Sequence, residues 1–168
     1  KYTGSKFAIS FNSATSALHA AVVAVGVEPG QEVIVPPYTF TSTATSVLMH
    51  NAIPVFSDVK DDIYCIDPKK LENALSPLTR AIIPVHLFGH PCDMDEITAF
   101  ARKNNLKIIE DCAQALGAKI NDVSVGLYGE AGIFSFYVTK LMTTGGQGGM
   151  FVSKRNDLVD SVRDYREF

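Results

Sequence analysis

No stretch of this sequence approaches the roughly 20 consecutive apolar residues that a helix needs to span a bilayer. The opening residues, Lys1-Tyr2-Thr3-Gly4-Ser5-Lys6, have no apolar segment behind them of the kind a secretory leader carries, so neither a signal peptide nor a membrane partner is expected. Lysine and arginine form no cluster, and 15 basic against 18 acidic residues give a formal charge of −3. That balance argues against the basic footprint of a nucleic-acid binder. Cysteine is scarce and odd in number. Cys65, Cys92 and Cys112 have no CxxC spacing and read as free thiols of a reducing, cytoplasmic compartment. The histidines, His19, His50, His86 and His90, show no ligand spacing with them, so no metal site is expected. Internal repeats and low-complexity segments are also absent.

What remains is a globular composition. Of 168 residues, 46% are hydrophobic and 20% charged, enough for one domain with a sizeable core. Short apolar runs alternate with helical patterns. Strands are predicted at Phe7–Phe11, Glu32–Val35, Ile53–Phe56, Arg80–Val85, Lys107–Ile109 and Ala131–Tyr137. Helices are predicted over Ala17–Val25, Thr41–Met49, Asp67–Leu75, Asp93–Asn104 and from Asn156 to the end, with Asp67 as N-cap and Pro68 at the first helical position. His86 to His90 brackets Phe88-Gly89 before Pro91 and reads as a loop. The strands lack period-two polarity, which predicts an α/β fold: a three-layer, mostly parallel sheet with helices on both faces. In such sheets ligands bind beyond the carboxyl ends of the strands.

One stretch organises the rest, Phe134-Ser135-Phe136-Tyr137-Val138-Thr139-Lys140 followed by the glycine-dense Gly145-Gly146-Gln147-Gly148-Gly149. A lone lysine at the mouth of a buried strand either simply starts a surface loop or offers an amine that attacks a carbonyl. A second strand runs into Glu110-Asp111-Cys112-Ala113-Gln114, where a buried carboxylate needs a partner. A salt bridge, a helix cap or a protonated ring nitrogen of a cofactor would each serve. Asn12 to Ser16, at a helix start, offers backbone N–H groups and small hydroxyls suited to a phosphate or to plain capping. No GxxxxGK[ST] occurs, and the glycine run precedes a strand, unlike a dinucleotide fingerprint. A phosphate cradle, an acid at one strand end and a lysine at another are together what pyridoxal 5′-phosphate (PLP) requires.

These stretches, with Pro36-Pro37-Tyr38-Thr39-Phe40 and Pro84-Val85-His86-Leu87-Phe88-Gly89, resemble the DegT/DnrJ/EryC1/StrS family of PLP-dependent sugar aminotransferases, of the aspartate-aminotransferase fold type. The resemblance implies that Lys140 is the Schiff-base lysine and moves the proton. It implies that Asp111 partners the pyridine nitrogen, Gln114 faces the 3-hydroxyl, and Ala14, Thr15 and Ser135 contact the phosphate. Phe40 falls where the family stacks an aromatic on the ring. The implied reaction moves an amino group from glutamate to a keto-sugar nucleotide, in a homodimer whose subunits share the cofactor site. Two alternatives stay open: a PLP-dependent sugar dehydratase, whose relatives carry histidine in place of the lysine, and a non-catalytic piece of the fold. The family commonly shows Thr-Gly-Glu-Gly-Gly after the lysine, whereas Gln147 replaces the acid here and the run has one more glycine. Family members are much longer. Residues 1–168 are therefore expected to be a PLP-binding large domain, incomplete, without the N-terminal arm and the smaller C-terminal domain.

Overall fold

Along each central strand, alternate residues enter opposite layers of core, and both layers are apolar. In β2 (Glu32–Val35) Val33 and Val35 face one side and Ile34 the other. In β4 (Thr79–Ile82) the split is Ala81 against Ile82, and in β5 (Lys107–Asp111) Ile109 against Ile108. This two-sided burial is why the strands read as continuous apolar runs. The computed structural model describes residues 2–167. It adds β1 (Phe7–Phe11), β3 (Ile53–Phe56), β8 (Ala131–Ser135) and β9 (Gly149–Ser153) to one seven-stranded sheet of order β1-β9-β8-β5-β4-β2-β3. The pairs β2/β3, β2/β4, β4/β5 and β5/β8 are parallel, and β9 runs antiparallel to both of its neighbours, β1 and β8. Helices α1 (Ala14–Ala24), α2 (Ser42–Leu48) and α4 (Asn156–Glu167) cover the layer of Val33 and Ile109, and α3 (Met94–Lys103) covers the other. The expected three-layer, mostly parallel architecture is what forms.

Several boundaries differ from the sequence expectation. The helix predicted over Asp67–Leu75 is a 3₁₀ helix, Pro68–Ala74, capped by Asp67, whose carboxylate accepts the Lys69 N–H at 3.0 Å. Its buried residues Pro68, Leu71 and Ala74 recur every third position, and three residues per turn stacks them on one face. The strand predicted over Arg80–Val85 is Thr79–Ile82, with Val85 making an isolated bridge to Asp111. The run Ala131–Tyr137 leaves its ladder after Ser135, because β9 begins at Gly149, the partner of Ser135. A small hairpin of β6 (Lys119–Ile120) and β7 (Val123–Ser124) went unforeseen. Its turn residues Asn121 and Asp122 take φ values of 47° and 63°, the left-handed pair that a two-residue hairpin turn demands.

Candidate active site

The parallel strands all finish on one edge of the sheet, and β9 starts there. Phe11 pairs with Gly149, Gly149 with Ser135, and Asp111 with Ile133, so three segment ends and the start of β9 sit side by side. A cavity of about 410 Å³ opens at this edge. Ala14, Thr15, Phe40, Asp111, Gln114, Ser135 and Lys140 all line it, so the seven residues to which the resemblance gives a role fall in one place.

Its floor is the N-terminus of α1. Ser13 caps the helix in an extended conformation, and its hydroxyl accepts the Ser16 N–H at 3.1 Å. The N–H groups of Ala14 and Thr15 lie earlier in the first turn, where a helix has no internal acceptor to offer them. They and the helix dipole make a site for an anion. The Thr15 hydroxyl lies 2.7 Å from that of Ser42, joining α1 to α2. A Cβ on Gly149 would come within 2.4 Å of the Ser13 carbonyl and 2.6 Å of the Ala14 nitrogen. Only glycine allows the start of β9 to lie against this turn, which accounts for one glycine of the dense run.

Asp111, at the end of β5, is buried. Its Oδ1 accepts the Ala113 N–H at 3.1 Å and its Oδ2 the Thr43 hydroxyl at 2.8 Å. Desolvation pushes its carboxyl above the usual range, while those two hydrogen bonds and the nearby Lys140 pull it back only in part. The Gln114 side-chain oxygen accepts the N–H of Phe88 at 2.8 Å, which leaves its NH₂ as the free end. Phe88 itself sits at φ 53°, a left-handed geometry that this bond helps to hold. Ser135 is buried, and its hydroxyl oxygen accepts the Tyr137 N–H at 3.4 Å. Phe40 is 71% exposed on the open side of the cavity. Lys140 does not terminate the strand as expected. It is half-buried on a turn beyond β8, with its N–H donated to the Tyr137 carbonyl at 2.9 Å. Gln147 and Thr139 stand on the same wall.

The sequence reading missed the support behind these residues. Glu110, wholly buried, accepts from Gly126 N (2.7 Å), Tyr128 N (2.7 Å), Gly129 N (2.8 Å) and His86 Nε2 (3.0 Å). His86 Nδ1 accepts the Cys92 N–H at 3.0 Å, so the ring proton is on Nε2 and points at Glu110. Cys112 stands close by, its thiol kept protonated by burial. His86, Glu110 and Cys112 bring their ligand atoms within 4.8 Å of one another, yet the histidine and carboxylate are already committed to hydrogen bonds. The signal was present in the sequence as a second carboxylate beside Asp111, on the opposite face of the strand, and in the histidine that read as part of a loop.

The seven-stranded, mostly parallel sheet with helices on both faces and a cavity at its strand ends is the fold of solved PLP-dependent aminotransferases. Within that class the chain belongs to the DegT/DnrJ/EryC1/StrS aminotransferase family, whose model matches residues 1–168. Among curated proteins it is 48% identical over 154 residues to the UDP-N-acetyl-3-dehydro-alpha-D-glucosamine 3-aminotransferase of Acidithiobacillus ferrooxidans, covering 92% of this chain and 42% of that one. The solved aminotransferase of Psychrobacter cryohalolentis superposes with a TM-score of 0.97 at 44% identity, over 99% of this chain and 42% of the other. The Bacillus subtilis NtdA structure, with bound cofactor PMP, gives 0.89 at 31% identity, over 96% and 36%. The chain thus spans about two fifths of the length of the curated relatives it matches.

Proposed function

We propose that this chain is the PLP-binding large domain of an aminotransferase that moves an amino group from glutamate to a keto-sugar nucleotide. The observation that carries the reading is the pairing, in one cavity, of a buried carboxylate short of counter-charge with a lysine amine. The residues present fit PLP. A cationic ring nitrogen would supply what desolvated Asp111 lacks, and the Ala14 and Thr15 N–H groups with the Ser135 hydroxyl suit its phosphate. The Gln114 NH₂ is free to donate to the 3-oxygen, and Phe40 offers a ring face. When bound, PLP supplies an electron-withdrawing ring that stabilises negative charge on the carbon beside the substrate nitrogen.

The chain's own residues then divide the work. Asp111 keeps a proton on the ring nitrogen. Lys140 Nζ would hold the cofactor covalently and, once displaced by the substrate amine, would carry the proton between the two carbons that flank the substrate nitrogen as general base and acid. Phe40 on the cavity lining, and Val138 (59%) and Leu141 (78%) on the segment around Lys140, are exposed apolar side chains that a second copy of the chain would cover, excluding water. The reading therefore includes a homodimer with a shared site, and the rest of the relatives' length as N-terminal arm and C-terminal small domain. It takes the cytoplasm as its compartment, on three buried cysteines that are all free thiols. Lys140 favours transamination over the dehydratase alternative.

Incubation with PLP followed by borohydride tests this. A pyridoxyl label should appear on the peptide containing Lys140, and a label on any other lysine overturns the assignment.

A further inference from the structure

We propose that Thr43 is the positioning residue for Asp111, and that Thr39 and Thr43 form a one-way hydroxyl chain that keeps this carboxylate ionised and aimed into the cavity. The inference rests on the PLP reading above for its consequence, though not for its geometry. Thr43 is completely buried in the first turn of α2 and does not line the cavity. Its backbone is fixed on both sides, its N–H donating to the Phe40 carbonyl at 3.2 Å and its carbonyl accepting the Ser46 hydroxyl at 3.0 Å.

The direction of the chain follows from counting protons. Ionised Asp111 has none, so the single Thr43 hydroxyl proton points at Oδ2, 2.8 Å away. The Thr43 oxygen can then only accept from Thr39, whose hydroxyl stands 3.1 Å off. With its proton committed, Thr39 presents a lone pair to the cavity it lines. Two hydroxyls aligned toward one carboxylate polarise each other, which strengthens the bond that reaches the charge. The other groups bearing on Asp111 are the Ala113 N–H, His86 from beyond β4 and Lys140 from beyond β8. Among the described residues only Thr43 and the Ala113 N–H donate hydrogen bonds to the Asp111 carboxylate, and of the two Thr43 is the side chain, so its hydroxyl can be removed without changing net charge.

The test uses full-length protein carrying this segment, as wild type, Thr43→Val, Thr43→Ser and Thr39→Val. In cofactor-free protein the Asp111 carboxyl is titrated by ¹³C NMR, its resonance identified by its loss in Asp111→Asn. Thr43→Val should move the midpoint upward, because a donor to the ionised form is gone. Thr43→Ser should restore it, and Thr39→Val should shift it less in the same direction. PLP affinity, followed by visible absorbance, should fall roughly 10-fold or more in Thr43→Val and hold in Thr43→Ser, in keeping with the strength of hydrogen bonds to charged groups. An unchanged midpoint in Thr43→Val, or Thr43→Ser behaving like it, overturns the proposal. If Thr43→Val does not fold, Thr43→Ser and Thr39→Val decide alone: the proposal falls if Ser shifts the midpoint or if the Thr39 variant does not. Wild type that takes up no PLP refutes the functional reading, while the cofactor-free midpoints still decide the role of Thr43.

Discussion

Glu110→Gln changes one atom pair in the interior and should be among the most damaging isosteric substitutions available to this chain. Each carboxylate oxygen accepts two donors: Oε1 those of Tyr128 and Gly129, Oε2 those of Gly126 and His86. An amide has one oxygen. Whichever way it turns, its NH₂ faces two N–H groups. The histidine cannot rescue the arrangement by moving its proton to Nδ1, because that nitrogen already accepts the Cys92 N–H. Two buried charge-assisted hydrogen bonds are therefore lost, each worth about 1.5–3 kcal/mol. Removing the buried charge itself returns part of this, so a net loss of about 3–5 kcal/mol is expected from the two lost bonds. Against a total stability of about 5–15 kcal/mol, that is a large fraction. Urea unfolding and calorimetry provide the measurement, with a fall in Tm of about 6–20 °C expected for a chain of this size. The exposed pair Lys70–Asp58, at 2.8 Å, is the control, and Asp58→Asn should leave the midpoint where it is. A Glu110→Gln protein within about 1 kcal/mol of wild type would refute the argument that this carboxylate needs all four of its donors.

Two further outcomes follow from the site. The folded-state pKa of Asp111 is raised, so the folded protein binds a proton more readily than the unfolded chain. Its contribution to the stability of cofactor-free protein is then most favourable at acidic pH and is lost as pH rises through the raised value. Asp111→Asn should consequently stabilise the PLP-free protein at pH 8 more than at acid pH below the unfolded carboxylate value, about 3.9, while weakening PLP binding, and a stability gain independent of pH would contradict the assigned cause. Gly149→Ala places a methyl within 2.4 Å of the Ser13 carbonyl and should cost about 1–3 kcal/mol in unfolding, with a loss of phosphate affinity as the first turn of α1 moves. Unaltered phosphate binding in that variant would show that the turn is not part of an anion site.

The sequence by itself determined the fold class. Val33-Ile34-Val35, Ile108-Ile109 and Ile133-Phe134 are apolar at every position, and only strands covered on both faces tolerate that. It also determined which side chains gather at the strand ends, because strand ends in a parallel sheet share an edge whatever the strand order. Asp111, Ser135 and the start of α1 are at that edge for this reason. What the sequence could not determine was the partner of each group, since partners come from segments far apart along the chain. Glu110 meets a loop 16 to 19 residues away and a histidine 24 residues back, and Asp111 meets a threonine 68 residues back. The three-residue period of Pro68, Leu71 and Ala74 was legible but lay too close to 3.6 to be told apart within seven residues. Lys140 was found by its setting, yet its turn depends on the β9 register, which Gly149 fixes by allowing its backbone against Ser13. Local pattern decides what a segment is. Only tertiary structure decides which donor a buried carboxylate will meet, because that depends on strand order and register, which no single segment encodes.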